Sequence, residues 1–433
     1  MASRSSPFSP IAIFGMMVLL LGLFGGAVAW LSPVTAPTAA KIKPAATGVS
    51  VTAPKFLPTP IGNTFEGHPW ITHLAVVDLD RDGRPDVLAC DAQNDTIEWL
   101  RPRGDGTFAE STLARNLKAP VHASVCDYDG DGDLDVLVAS MGEIFPNNDK
   151  IGSVVVLVND GAGNFTPRVI RQNIARVTDV RGADFDGDGH VDLVVGQFGY
   201  VQGGITLLRN RGDQTYVDEP LLDLSGTIHT PVADFDGDGR PDVAALVSQE
   251  WEEVHVFDNH GGTLHDRTIW GSVNEDYGSS GLELADLDRD GDVDFLYTNG
   301  DAFDYSRPGP RPWHGLQWLE NRRGNFVFHR IGDQPGAFSP IAIDLDGDHD
   351  LDIVTVSGFG DFTDPSAPSL VAWINDGNQN FTPVVLAHTP THLISVVAAD
   401  FDGDGRVELM TGTMFAYPPW DTPSRITLWR QQP

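Results

Sequence analysis

Along the chain, apolar runs of three to five residues recur between polar stretches rich in Asp, Gly and Asn. Runs such as Val136-Leu137-Val138, Leu193-Val194-Val195 and Ile353-Val354-Thr355 are too short and continuous for amphipathic helices, and predict strands buried on both faces. After a variable loop comes a second set, at Val154–Val158, Ile205–Leu208, Val254–Phe257, Leu316–Leu319 and Val371–Ile374. Gly-rich turns close these runs, as at Asn159–Asn164 and Asn375–Asn378. A further strand is predicted from the aromatic residue beyond each turn: Phe108, Phe165, Tyr216, Phe326 and Phe381.

The polar stretch ahead of the first run has one repeated form, Asp-x-Asp-x-Asp-Gly-x-x-Asp. It begins at Asp78, Asp127, Asp184, Asp234, Asp286, Asp344 and Asp400. Successive starts lie about 49 to 58 residues apart, room for four strands of five or six residues with their turns, which is one propeller blade. The predicted fold is all-β: a seven-bladed β-propeller of four-stranded antiparallel blades over residues 51–433, each motif joining strand one to strand two. The last unit stops at Ile426–Trp429, its strand three. Lys55–Ile61 is similar to Asn164–Ile170, an outer strand, and is expected to complete the last blade, a closure that leaves no sheet edge exposed.

Carboxylates at positions one, three, five and nine of a tight loop, with Gly at six, are the oxygen donors of a hard cation. The carboxylates and a backbone carbonyl at position seven converge on one ion. The first loop supplies Asp78, Asp80, Asp82 and Asp86; the second Asp127, Asp129, Asp131 and Asp135; the third Asp184, Asp186, Asp188 and Asp192. The fourth supplies Asp234, Asp236, Asp238 and Asp242; the fifth Asp286, Asp288, Asp290 and Asp294; the sixth Asp344, Asp346, Asp348 and Asp352; the seventh Asp400, Asp402, Asp404 and Glu408. With no His or Cys at these positions, calcium is favoured over zinc or copper, and the number of carboxylates favours it over magnesium. Up to seven Ca2+ are expected, one per blade, the sixth site being the weakest because His349 replaces its Gly. Four carboxylates about 4–5 Å apart repel by roughly 20 kcal/mol in all at an effective dielectric near 20, so each loop needs a counter-ion.

Composition agrees. The formal charge is −33, from 61 acidic and 28 basic residues among 433, while 41% hydrophobic content allows a packed core. Setting the loop carboxylates aside leaves the rest of the chain close to neutral. No basic surface is available for phosphate, so no nucleic-acid partner is expected. At the start, Arg4 precedes an apolar run at 11–31 with Ala27-Val28-Ala29, the pattern of a secretory signal in residues 1–31. The run is also long enough to span a bilayer as an uncleaved anchor. Either way the protein is expected to be exported, secreted or membrane-anchored, and facing the extracytoplasmic side. Residues 32–50, rich in Pro, Ala and Thr, read as a linker. Cys90 and Cys126 sit beside neighbouring motifs, and both a disulfide and two buried thiols fit the sequence.

The run Asp184–Asp192, Asp-Phe-Asp-Gly-Asp-Gly-His-Val-Asp, with Gln197-Phe198-Gly199 after it, resembles the FG-GAP and VCBS-type repeats that build the propeller of integrin alpha chains and of many exported bacterial proteins. The resemblance extends from about Phe56 to Trp429. It implies calcium in each loop and extracellular recognition.

Because successive turns of an antiparallel blade alternate between faces, the Asp loops and the three-to-four turns share one face. The loops between strands two and three share the other with the blade connections. Those loops carry Phe145, Phe198, Tyr200, Trp251, Phe303, Tyr305, Trp313, Phe359, Phe362, Phe415, Tyr417 and Trp420, a candidate ligand face. Five residues before the first Asp of four motifs stand His73, His122, Asp179 and His229, at the channel mouth, where Gly281, Ser339 and Ser395 occupy the remaining blades considered. The expected function is a binding or adhesion module for glycan or for an extracellular or envelope protein. The alternative is a carbohydrate-active enzyme, lyase or dehydratase in type, using the channel histidines.

Overall fold

The apolar runs become the strands of seven sheets. The computed structural model describes residues 42, 54–145, 147–303, 305, 308–420 and 425–432. Blade one contains Ile71–Val77, Asp86–Asp91, Thr96–Pro102 and Phe108–Arg115, hydrogen-bonded in that order. The innermost strands of the other blades are Pro120–Cys126, Arg176–Ala183, Thr227–His229 with Val232–Ala233, Ser279–Ala285, Ala337–Ile343 and Leu393–Ala399. Blade four's inner strand is split at Pro231, whose ring lacks the N–H that the ladder needs. Neighbouring inner strands touch all the way round, the first against the last, so the seven antiparallel blades form a closed ring.

Strands two and three are buried along almost their whole length because each blade is covered on both faces. Alternation divides their side chains between two cores. Val87 and Ala89 pack with Met410 and Leu428 of blade seven, whereas Leu88 and Cys90 pack with Val136 and Val138 of blade two. Seven apolar clusters among the described residues fill the seven gaps between blades in this way. Cys90 and Cys126 belong to different gaps and are separate thiols.

Phe56–Ile61 pairs antiparallel with Ile426–Gln431 along all six residues, so the outer strand of blade seven comes from the opposite end of the chain. Phe56 packs into the core between blades six and seven, and Ile61 into the core between seven and one. The candidate signal or anchor at 1–31 and nearly all of the 32–50 linker lie outside the described residues. Within that linker, Ile42 is partly buried against Leu287, Trp318 and Trp373.

Candidate functional site

Each Asp loop turns twice through the left-handed region. Position six does so at Gly83, Gly132 and Gly189, and at His349 with φ of 75°. Position four does so as well: Gly130, Gly187, Gly237, Gly347 and Gly403 hold it without strain, but Arg81 and Arg289 do so as non-glycine residues. What keeps the turn is the first Asp. Asp184 accepts N–H groups from Gly187, Asp188 and Gly189 at 2.7 to 3.2 Å, and Asp344 accepts the His349 N–H at 3.1 Å, as its counterparts accept a glycine's. Loop six therefore keeps the geometry of the others despite its substitution.

The side chains then converge. One oxygen each from Asp78, Asp80 and Asp86 lies within 4.8 Å of the others, as do those of Asp127, Asp129 and Asp131, and of Asp184, Asp186 and Asp192. Asp234, Asp236 and Asp242, and likewise Asp286, Asp288 and Asp290, form equivalent groups. One Oδ1 of Asp78, of Asp286 and of Asp402 is buried without a hydrogen-bond partner, which is costly for a carboxylate oxygen unless a cation supplies the contact. Several Asp clusters of the propeller are thus arranged to bind metal ions.

Position nine has a second task. Asp242, fully buried, accepts the Phe235 N–H at 2.8 Å and the Asn259 N–H at 2.7 Å, tying the Asp loop to the three-to-four turn. Asp135, Asp192, Asp294 and Asp352 make the same two bonds, to position two of their own loop and to Asn159, Asn210, Asn321 and Asn375. Burial is the main influence on these groups. It pushes the carboxyls of Asp86 and Asp352 up to about 6, and those of Asp294 and Glu408 up to about 7, with the loop's own carboxylates adding to the effect. Asp242→Ala is expected to cost about 3–5 kcal/mol, because it orphans two buried N–H groups. Asp238→Ala, at an exposed position of the same loop, should cost clearly less. Urea unfolding at saturating calcium compares them, and equal losses would deny the bracket.

On the channel axis, a bulge repeats in the inner strand. It falls between Ile71 and His73, Pro120 and His122, Val177 and Asp179, Thr227 and His229, Ser279 and Gly281, and Leu393 and Ser395. The extra residue re-aims the side chains on either side of it toward the neighbouring blade. His73 Nδ1 accepts the Ala123 N–H at 3.4 Å, Asp179 accepts the Thr230 N–H at 2.8 Å, Ser339 accepts the Val396 N–H at 3.1 Å and Ser395 accepts the Leu74 N–H at 2.9 Å. Thr72, Thr178 and Ser280 donate to carbonyls of Pro120, Thr227 and Ala337 in the next blade. Of the residues five positions before the motif, His73, Asp179, Ser339 and Ser395 are, in this arrangement, latches between blades.

Six of the seven residues at this position nevertheless line a central cavity of about 240 Å³, among them His73, His122 and His229. The rings of His73 and His122 lie tilted at 33° to each other with centroids 4.0 Å apart. Arg181 Nη2 donates to His122 Nε2 at 2.9 Å, so Nδ1 carries the proton, 3.0 Å from Asp179. Burial holds all three imidazoles below their usual range, His229 at about 4. Burial opposes ionisation of Asp179 too, but Arg181 and His122 outweigh it and keep that carboxyl well below the usual range. Arg181 and Glu283, each three residues before a motif, were not singled out from the sequence. Period-two alternation from the position of His73 places them on the same side of the strand, and would have found them.

The aromatic face divides. Phe359 and Tyr417 line the cavity with Phe198 and Phe303. Tyr200, Trp251 and Trp420 are exposed on the rim, Trp420 stacked on His68 at 4.2 Å. Tyr305 lies under Arg311 at 3.8 Å, and Trp313 Nε1 donates to the Asp276 carbonyl at 2.8 Å, so these two rings pack on blade-five residues.

Among solved structures, the chain is similar to BBS1N in complex with ARL6DN, at 10% identity and a TM-score of 0.49 over 88% of this chain and 98% of that one. It is also similar to the Dos1 propeller, at 10% identity and a TM-score of 0.47 over 84% and 81%. A third is rhamnogalacturonan lyase YesW, at 13% identity and a TM-score of 0.43 over 86% and 74%. No curated protein matches the chain. The FG-GAP-like repeat matches at residues 78–138, 127–195, 184–245, 234–297 and 360–411, each match starting in one blade and ending in the next. Since those matches cover more than half of its length and fall in step with the blades, the chain belongs to the FG-GAP-like repeat family.

Proposed function

We propose that this is an exported calcium-binding propeller whose ions stiffen the blades while the opposite face holds a glycan or a protein of the cell exterior or envelope. The observation that supports it is the division of the two faces. Carboxylate clusters with unpartnered buried oxygens crowd the turns on one side, and exposed rings stand on the other. Trp251 is 41% and Trp420 50% exposed, and large exposed rings on loops of a rigid scaffold are typical anchors of recognition. Calcium suits the Asp loops because all the side-chain donors are hard oxygens. Carbohydrate-active chemistry draws less support, because nitrogens of His73 and His122 are already bonded to neighbouring groups. The reading is tested on glycan arrays and on immobilised envelope protein, with Trp251→Ala and Trp420→Ala compared with the parent. A loss of roughly tenfold or more is expected for at least one variant. Unaltered binding by both would remove the rim from the account.

A further inference from the structure

The central cavity has a recognition chemistry of its own, apart from the exposed rim. Its wall includes rings from three blades: Phe303 stands edge-on to Phe359 at 6.1 Å and to Tyr417 at 5.8 Å between centroids. The Tyr417 hydroxyl donates to the Phe303 carbonyl at 2.9 Å, which fixes the two loops to each other. Such rings present π-faces of partial negative charge.

Most polar groups along the channel are committed elsewhere. The hydroxyls of Thr72, Thr178 and Ser280 are donated to the next blade, and those of Ser339 and Ser395 accept its N–H groups. Arg181 is engaged by Asp179 and His122. Arg176 donates to the carbonyls of Glu143, Ile144 and Phe145 and lies over Phe198 at 4.9 Å, so one wall already holds a cation by a ring face and oxygens. Glu283 differs: it lines the cavity and among the described residues no hydrogen bond reaches its carboxyl, which burial pushes up to about 7 against the pull of the Arg181 guanidinium, so that a cation bound beside it would hold it ionised. It sits two residues below Gly281 on the same strand, roughly 7 Å deeper.

A sugar needs many free donors and acceptors, and a calcium ion needs six or more oxygens. An anion would meet the ring faces and a carboxylate. An apolar-shelled cation is complementary to both. We propose that the cavity binds a small organic ammonium of about choline size, its alkyl shell against Phe303, Phe359 and Tyr417 and its charge balanced by Glu283. The volume suits it, since a cavity of about 150 Å³ accepts benzene.

Calorimetry on the full chain loaded with calcium tests this with choline, its neutral isostere 3,3-dimethylbutanol and the anionic trimethylacetate. Choline is expected to bind at least roughly tenfold more tightly than the alcohol, and trimethylacetate not at all. Glu283→Gln should weaken choline by roughly tenfold or more at an unchanged melting temperature. Should that variant not fold, Phe359→Leu is expected to give a comparable loss. Trp251→Ala should leave choline affinity intact, so rim binding and cavity binding can fail separately. Absence of choline binding at millimolar concentration, equal affinity for the alcohol, or undiminished affinity in a folded Glu283→Gln protein would overturn the assignment.

Discussion

Stripping the divalent ions from the folded protein is expected to lower its melting temperature by about 20 °C or more, and to unfold it outright where denaturant is present. The size of this effect follows from repetition. An ion held at a hundredfold excess over its dissociation constant adds about 2.7 kcal/mol to stability, and seven such sites exceed the roughly 5–15 kcal/mol net stability of an ordinary domain. Without the ions, clustered carboxylates such as Asp127, Asp129 and Asp131 repel each other across less than 4.8 Å. The loops also touch the next blade. Asn259 Nδ2 donates to the Phe235-equivalent carbonyl of blade three, Phe185, at 2.8 Å, and Asn321 Nδ2 to the Phe235 carbonyl at 2.9 Å. Loosening one loop therefore weakens two blades. Differential scanning calorimetry before and after chelation, with calcium added back, measures the effect. An unchanged melting curve after verified metal removal would refute it.

Removing the strand Phe56–Ile61 is the second large perturbation. All six residues pair with Ile426–Gln431, and Phe56 and Ile61 contribute to two inter-blade cores. Taking backbone bonds at about 1 kcal/mol each and the two side chains at about 1–2 kcal/mol, the loss is about 5 kcal/mol or more. The exposed edge of Ile426–Gln431, carrying Leu428 and Trp429, also becomes a template for pairing between molecules. A chain beginning at residue 62 is expected to aggregate and to melt well below one beginning at residue 54, and an added peptide of sequence Lys55–Ile61 should restore part of the difference. Equal melting temperatures and monomeric behaviour for the two chains would show that the ring closes without this strand.

The fold was legible because its signals are local and repeated. The Asp motif marks the turn between strands one and two in all seven units, a Phe or Tyr after the Gly-rich turn marks strand four in most of them, and the phase of the motif gives seven blades. The left-handed residue at position four was not read from the motif: five of the seven loops have glycine there, but Arg81 and Arg289 hid it. Less legible was everything set by the meeting of different blades. That His73 accepts the Ala123 N–H, or that Ser395 accepts the Leu74 N–H, depends on a bulge and on ring closure, and no short window of sequence contains both partners. Trp313 and Tyr305 looked like ligand-face rings because they are aromatic and on a long loop. Their partners Asp276 and Arg311 become visible only when that loop is folded. Glu283 was missed for a simpler reason: its counterparts in other blades, such as Ala75, Ser124 and Val397, are chemically unlike it.

Everything proposed for the Asp face requires that divalent ions occupy those loops. Equilibrium dialysis of the folded protein against calcium, followed by elemental analysis, counts them directly. About seven calcium ions per chain are expected, or about six if His349 weakens its loop beyond the concentration used. A folded, unaggregated chain that retains none would contradict the account.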